Sequence, residues 1–448
     1  MVHQLPIELR EVIFRQLDGF DLCALAILNR DLHFTSIQHL FGRNHVFDST
    51  RFAINLSNDS TLQGADENSA IIQGLLLALT LPFSPKSFSW VLRSPYERFF
   101  SDLDNLRRLI ERVNSFEKVT LGFQYNLGVS WDLSPNESCG SPTFACAPNL
   151  RLRPQPAQHS NLRVLIIHPS DPPNTAFLQL AIQLLTLPSL EVLSFRDAKQ
   201  DTWDWRTILP QIHLPNLKEL YLYKSAIPSE DITTFLTRHP SLVKIDLGFP
   251  DSLVITTNSS PPLLFLPNVT TLAANPDLLD FFLRGGTALP KLRTLIINVG
   301  IPAGHHPHWQ FAGVLDKVDQ RSQSINVKLR LLLYGTSGHG SLWLHPYPTE
   351  EQHMKPSSST RVKHLIIGST LPNLLQDEED IDLFSIWMKG FKEVECVVIC
   401  VQKQWNEEWK KGKMRKLAQS LMMKEFELKV KTLRLNDETR TLEEWTED

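Results

Sequence analysis

Apolar residues in the middle of the chain fall in one recurring frame, an aliphatic followed by two more at offsets of three and five. The frame is filled by Leu190, Leu193 and Phe195, by Leu217, Leu220 and Leu222, by Leu242, Ile245 and Leu247, and by Leu292, Leu295 and Ile297. Leu162, Leu165 and Ile167 open the series, and Val269, Leu272 and Ala274 are a weaker member. Five of the six are announced by a proline: Leu187-Pro188-Ser189-Leu190, Leu214-Pro215-Asn216-Leu217, His239-Pro240-Ser241-Leu242, Leu266-Pro267-Asn268-Val269 and Leu289-Pro290-Lys291-Leu292, with prolines 27, 25, 27 and 23 residues apart. One such match arises by chance; six in near-even succession do not.

Two apolar residues two apart on a short run predict a strand with one buried face. A proline lacks the N–H that a ladder needs, so it belongs at the strand's entry. Helical signals lie between the strands. Asn275-Pro276, LLDFFLR and Gly285-Gly286 read as N-cap, first-turn proline, apolar helix and glycine stop. Ser229-Glu230-Asp231 opens another helix before Ile232, Phe235 and Leu236. A strand, a crossover helix and a return to a parallel strand in each unit predict an α/β solenoid, because no unit can bury its own apolar face.

The phrase L-x-x-L-x-L at this period resembles the leucine-rich repeat, most clearly over residues 160–300. The resemblance implies parallel strands on a concave face with helices outside. Phe116, Val119 and Leu121 suit an earlier strand; Val362, Leu365 and Ile367, Val394, Val397 and Ile399, and Val430, Leu433 and Leu435 suit later ones. The family's asparagine after the last leucine is replaced by Ser170, Ala198, Ser225, Pro250, Asp277 and Gly300, so the turns must be satisfied otherwise in a degenerate solenoid.

Residues 5–41 carry a different, helical pattern. Leu9, Ile13 and Leu17 sit four apart after Pro6, and the helix is expected to end near Asp18-Gly19. Asp21 suits the cap of a second helix bearing Leu22, Leu25, Leu28 and Leu32. So small a bundle needs a partner or a neighbouring domain to cover its apolar surface. The stretch resembles the F-box, keeping Leu5-Pro6, Glu8-Leu9, the Ile13 and Leu17 stripe, Asp21-Leu22, Leu25-x-x-Leu28 and Arg30 before Leu32; the usual aromatic near the second helix's end is Leu32 or is offset to Phe34.

Together the two resemblances imply a substrate receptor of an SCF-type cullin-RING ubiquitin ligase, itself non-catalytic. The F-box, residues 1–45, would dock a Skp-type adaptor, and through it the cullin scaffold, by Leu5, Pro6, Leu9, Ile13, Leu17, Leu22 and Leu25. Residues 46–115 would connect it, as helices or first irregular repeats, to a repeat domain over 116–448 that holds a protein target. The strand residues alternating with the buried leucines face that target, and Arg196, Glu219, Tyr221, Tyr223, Lys244 and Asp246 mix aromatic anchors with both charges, as protein-binding surfaces do. The rival reading makes residues 5–41 a helical cap on a repeat scaffold without a ligase.

Composition removes several other classes. The chain has 448 residues, 42% hydrophobic, and a formal charge of −4. It can fold, and it has no global basic footprint for nucleic acid. Glu8, Arg10, Glu11 and Arg15 interrupt the N-terminal apolar stretch, and the run near Ile71 to Leu81 is too short for a bilayer, so a cytoplasmic or nuclear protein without a membrane partner is expected. Five scattered cysteines suit reduced thiols, and the sequons at Asn55, Asn58, Asn136, Asn258 and Asn268 are discounted without an export signal. His305-His306-Pro307-His308 reads as a surface loop rather than a metal site, Gly335 to Ser341 as a turn lacking nucleophile-elbow or phosphate-loop spacing, and Cys396 and Cys400 as inert residues sharing one strand face. No metal, cofactor or catalytic residue is assigned. Trp405 to Lys424 reads as a solvated last helix, and the acidic tail 437–448 as frayed.

Overall fold

The computed structural model describes residues 6–43, 47–56, 71–77, 85–123, 161–168, 181–196, 205–254, 264–302, 311–334, 362–369, 381–400 and 407–447, apart from short gaps inside these ranges. The chain is mixed α/β, with an open, mostly parallel sheet architecture. It divides into two compact units, Met1–Lys218 and Glu219–Asp448.

The first unit begins with three helices, α1 (Ile7–Gln16), α2 (Gly19–Leu28) and α3 (Arg30–Arg43). Asp18, not Asp21, caps α2, because its carboxylate accepts the Asp21 backbone N–H at 2.8 Å. Leu28 ends α2, so Leu32 lies on a separate helix and packs into the core from there. Phe14, Leu22, Ala26, Leu32, Ile37 and Leu40 fill the interior of this bundle, and Phe14 tilts against His39 with ring centroids 5.2 Å apart. A Cβ on Gly74 would overlap Leu40, so glycine permits the close approach of residues 71–77 to α3.

Six strands follow in the first unit: β1 (Phe47–Asp48), β2 (Ala53–Leu56), β3 (Ser87–Leu92), β4 (Lys118–Phe123), β5 (Val164–His168) and β6 (Val192–Arg196). β1 meets β2 antiparallel, and β2 to β6 run parallel in sequence order. Three strands of the sheet thus lie within residues 46–115 among the described residues. Phe88 and Trp90 on β3 occupy the last two positions of the frame, with Pro85 in the first. The sequence frame misses this strand because Pro85 stands in the first slot, where an apolar residue was sought.

The second unit contains β7 (Glu219–Tyr223), β8 (Ile227–Pro228), β9 (Lys244–Asp246), β10 (Leu253–Val254), β11 (Thr271–Ala274), β12 (Thr294–Pro302), β13 (Asn326–Tyr334), β14 (Val362–Ser369), β15 (Cys396–Cys400), β16 (Thr432–Leu435) and β17 (Glu438–Thr441). β7, β9 and β11 to β16 pair parallel in that order, β17 turns back antiparallel on β16, and β8 with β10 forms a separate parallel pair. The helix Ser229–Thr237 buries Ile232, Phe235 and Leu236, and the helix Pro276–Leu283 is capped by Asn275, whose side chain accepts from the Leu278 N–H at 2.8 Å. Both follow the sequence signals.

The proline phrase is a β-turn. The N–H of Leu190 donates to Leu187 O, Leu217 to Leu214 O, Leu242 to His239 O and Leu292 to Leu289 O, at 3.1–3.2 Å, which places each proline at the second turn position that its fixed φ prefers. The polar residue after the proline stitches successive units together. Asn216 Nδ2 donates to Pro188 O at 2.8 Å, Asn268 Nδ2 to Pro240 O at 3.1 Å and Ser189 Oγ to Leu162 O at 2.8 Å.

Two expectations about the C-terminal end are corrected. The helix Glu407–Leu421 buries Met414, Leu417, Ala418 and Leu421, but it is not the last helix. The tail is ordered: β17 and the helix Leu442–Glu447 close the sheet edge, with Trp445 1% exposed and donating from Nε1 to Leu433 O at 2.8 Å. Asn436 takes φ 50° in the hairpin turn, a conformation asparagine tolerates. Thr441 and Glu444 exchange side-chain and backbone hydrogen bonds as a capping box. Acidic composition had masked a hairpin and a capped helix.

Candidate functional site

The N-terminal bundle is filled by its own core and still leaves large apolar side chains outside it. Leu9 is 52% exposed, Val12 56%, Ile27 68%, Leu28 80% and Phe34 57%. Of the residues expected to meet an adaptor, Pro6 and Leu9 are exposed and Ile13, Leu17 and Leu25 half-buried. Leu22 is fully buried and serves the core, while Leu5 lies outside the described residues. Val12, Ile27 and Phe34 were missed, because a helical stripe read from sequence does not distinguish the face turned inward from the face turned out.

The other candidate surface is the sheet face opposite the buried leucines. In the first unit Arg196 is exposed at the end of β6. The remaining expected residues gather in the second unit on β7 and β9, where Glu219 lies opposite Lys244 and Tyr221 opposite Asp246. Tyr221 and Tyr223 stack with centroids 6.1 Å apart, Lys244 Nζ sits 4.9 Å above the Tyr221 ring, and the Tyr221 hydroxyl donates to Glu219 Oε2 at 2.5 Å. The tyrosines therefore form a braced shelf.

Asp246 departs from the expectation of an open polar face, being 4% exposed. It is buried because its neighbours satisfy it: Tyr223 OH donates to Oδ2 at 3.1 Å, the Gly248 N–H donates to Oδ1 at 3.1 Å, and Arg330 lies 3.9 Å from Oδ2. Burial, followed by the Asp246 charge and hydrogen bond, pushes the Tyr223 hydroxyl well above its ordinary value, so it stays a donor. Gly248 at φ 70° makes the turn that lets its N–H reach the carboxylate and its carbonyl accept from Asn298 Nδ2 at 2.9 Å. Ser194, Ala273, Asn275 and Asn298, expected to alternate outward, are buried as well.

The same face continues through β11 to β16 with a different chemistry. Register aligns Asp246, Ala273, Ile296, Lys328, His364, Cys396 and Thr432 in one row, and Asn298, Arg330, Ile366, Val398 and Arg434 in the next. Lys328 and Arg330 escaped the sequence reading because Ser324 stands in the first slot of the frame that leads into β13, whereas Arg434 lies between Leu433 and Leu435 on a strand the frame did identify. The alternation of Val327, Leu329 and Leu331 was the signal available.

Among the described residues no group of three or more His, Cys, Asp or Glu side chains could hold a metal ion, and no helix is long and apolar enough to cross a membrane. The histidine cluster at 305–308 and the loop from Gly335 lie outside the described residues. Cys396 and Cys400 share one strand face and are not disulfide-bonded. No family model matches the chain, and a comparison with curated proteins finds no match.

Proposed function

We propose that this chain is a non-catalytic substrate receptor of an SCF-type cullin-RING ubiquitin ligase. In this reading the N-terminal helices form an F-box that docks a Skp-type adaptor, and the leucine-rich repeats behind them hold the protein to be modified. The observation that carries the reading is the set of large apolar side chains, Leu9, Val12, Ile27, Leu28 and Phe34, left outside a bundle whose core is already complete. Such residues cost solubility and add nothing to the fold, which is the signature of a partner surface. The F-box resemblance of the same helices and the repeat period behind them agree with it. The chain's contribution to ubiquitin transfer would be proximity, raising the concentration of target lysines near the loaded conjugating enzyme. Cytoplasm and nucleus are the compartments where such a complex would work.

A second reading, a repeat scaffold capped by these helices, draws on the packing of Phe41 and Leu77 against the Ala26 and Ile37 cluster. One experiment separates the two. The full chain, a version lacking residues 1–45 and the double variant Leu9→Glu/Val12→Glu are co-purified with Skp-type adaptor and cullin. Surface substitutions at half-exposed positions cost about 1 kcal/mol or less, so the double variant is expected to stay folded and lose the adaptor. Adaptor retained by the folded double variant, or absent from the intact chain, returns the protein to a scaffold.

A further inference from the structure

We infer that the part of this face formed by β12 to β16 binds an extended acidic protein segment in which apolar residues interleave with aspartate or glutamate. The inference rests on the reading that this face holds a protein partner, and it does not require the helices to recruit a ligase.

The charge is distributed unevenly along the face. On β7 and β9 carboxylates and cations alternate and engage one another: Glu219 takes the Tyr221 hydroxyl, Lys244 lies on the Tyr221 ring, and Asp246 is buried in hydrogen bonds. From β11 to β16 the alternating positions on this face include no carboxylate, whereas Lys328, Arg330 and Arg434 supply three cations. Lys328 is half-buried, and no ion pair joins it to a carboxylate among the described residues. Arg330 approaches Asp246 only at 3.9 Å, on an oxygen that already accepts from Tyr223, which leaves most of its fork for another acceptor.

A half-buried cation without a counter-ion, as Lys328 is among the described residues, is unfavourable in the free protein, and a partner's carboxylate relieves that cost. The side chains beside Lys328 and Arg330 are apolar: Ile296 opposite Lys328, Ile366 opposite Arg330, and Val398 beyond it, all half-buried. Same-face neighbours on adjacent strands lie about 4.8 Å apart and those two along a strand about 6.8 Å apart, so an extended peptide whose every second residue faces the sheet, and in which those residues are acidic and apolar in turn, meets both kinds of contact. A nucleic acid fits less well. The tyrosine shelf on β7 stands among Glu219 and Asp246, and the chain as a whole carries −4.

The test is selection of a random dodecamer peptide library, displayed on phage, against the intact chain, followed by affinity measurement of the enriched peptides. The expected result is enrichment of Asp or Glu two positions away from aliphatic residues, binding that weakens with salt, and an affinity loss of about tenfold for each charge removed in Lys328→Gln and Arg330→Gln. Lys328→Arg should restore binding, and Lys291→Gln, an equal charge change at an exposed position hydrogen-bonded to Asn268, should leave it unchanged. Enrichment of neutral or basic peptides, no enrichment at all, or tight binding of an oligouridylate would overturn the inference. Adaptor capture, read separately on the same variants, reports on the helices: its failure with acidic selection intact refutes the ligase reading alone, and the reverse pattern refutes this inference alone.

Discussion

Trp445 allows a sharp test of whether the C-terminal hairpin and helix close the sheet. Its indole is 1% exposed, its Nε1–H donates to Leu433 O at 2.8 Å, and the Arg440 guanidinium lies 4.7 Å from the ring centroid. Burying about 200 Å² of indole at about 25 cal/mol per Å² gives about 5 kcal/mol, an upper figure because the denatured chain already hides part of that surface. Trp→Ala substitutions in cores cost about 3–5 kcal/mol, so Trp445→Ala is expected to lower the stability of the closing segment by about 4 kcal/mol. Trp445→Phe keeps most of the ring and loses the hydrogen bond, at about 1 kcal/mol. A chain of two compact units need not unfold in one step, so one melting temperature would blur the effect. Hydrogen exchange of the β15 and β16 amides reads it locally, and about 4 kcal/mol corresponds to exchange about a thousandfold faster where opening is local. Exchange within a few-fold of the parent in a folded Trp445→Ala protein would show that the tail lies on the sheet without holding it.

The remaining predictions address the frame, one ionisable group and the thiols. Leu220→Ala removes a side chain 1% exposed and should cost about 2–5 kcal/mol by denaturant titration; a negligible cost would mean that the frame does not define the core. His364 is held below its ordinary value first by burial and then by Lys328, with Lys363 acting in the same sense and Glu395 against it. Its neutral form is therefore favoured in the folded state, its contribution is full above the unfolded value of about 6.5, and it is lost as pH falls through the lowered folded value. His364→Gln should flatten the stability profile between about pH 5 and 7, and an unchanged slope would remove His364 from the account. Burial, with the Asp18 charge adding to it, pushes the Cys23 thiol up to about 11, whereas Cys400 is exposed. Iodoacetamide near neutral pH followed by peptide mass spectrometry should label Cys400 and spare Cys23 until the chain unfolds.

What could be read from the sequence was whatever depends on period and on local hydrogen bonding. The apolar frame identifies β5, β6, β7, β9, β11 and β12 because a strand with one buried face must place its leucines two apart, and Asn275-Pro276 marks a helix start because the cap is made by residues three apart. The frame fails where its first slot holds another residue: Pro85 precedes Phe88 and Trp90, which bury as well as leucine, and Ser324 precedes Val327 and Leu329, with Ile325 buried one place along. That single slot hid Lys328 and Arg330, and with them the cationic half of the face. Composition misled at the other end of the chain, where acidic residues occupy exposed positions of a hairpin and a capped helix whose interior side is Leu442 and Trp445. Which residues of a face remain open is a question of long-range packing, and here local pattern loses. Asp246 looks like a surface charge until Tyr223, the last residue of β7, and Gly248 in its turn are seen to close over it. The same reasoning sets the order of experiments, because an alternating position is a binding candidate only after its own fold has been shown to leave it unsatisfied. Lys328 meets that condition among the described residues, and Asp246 does not.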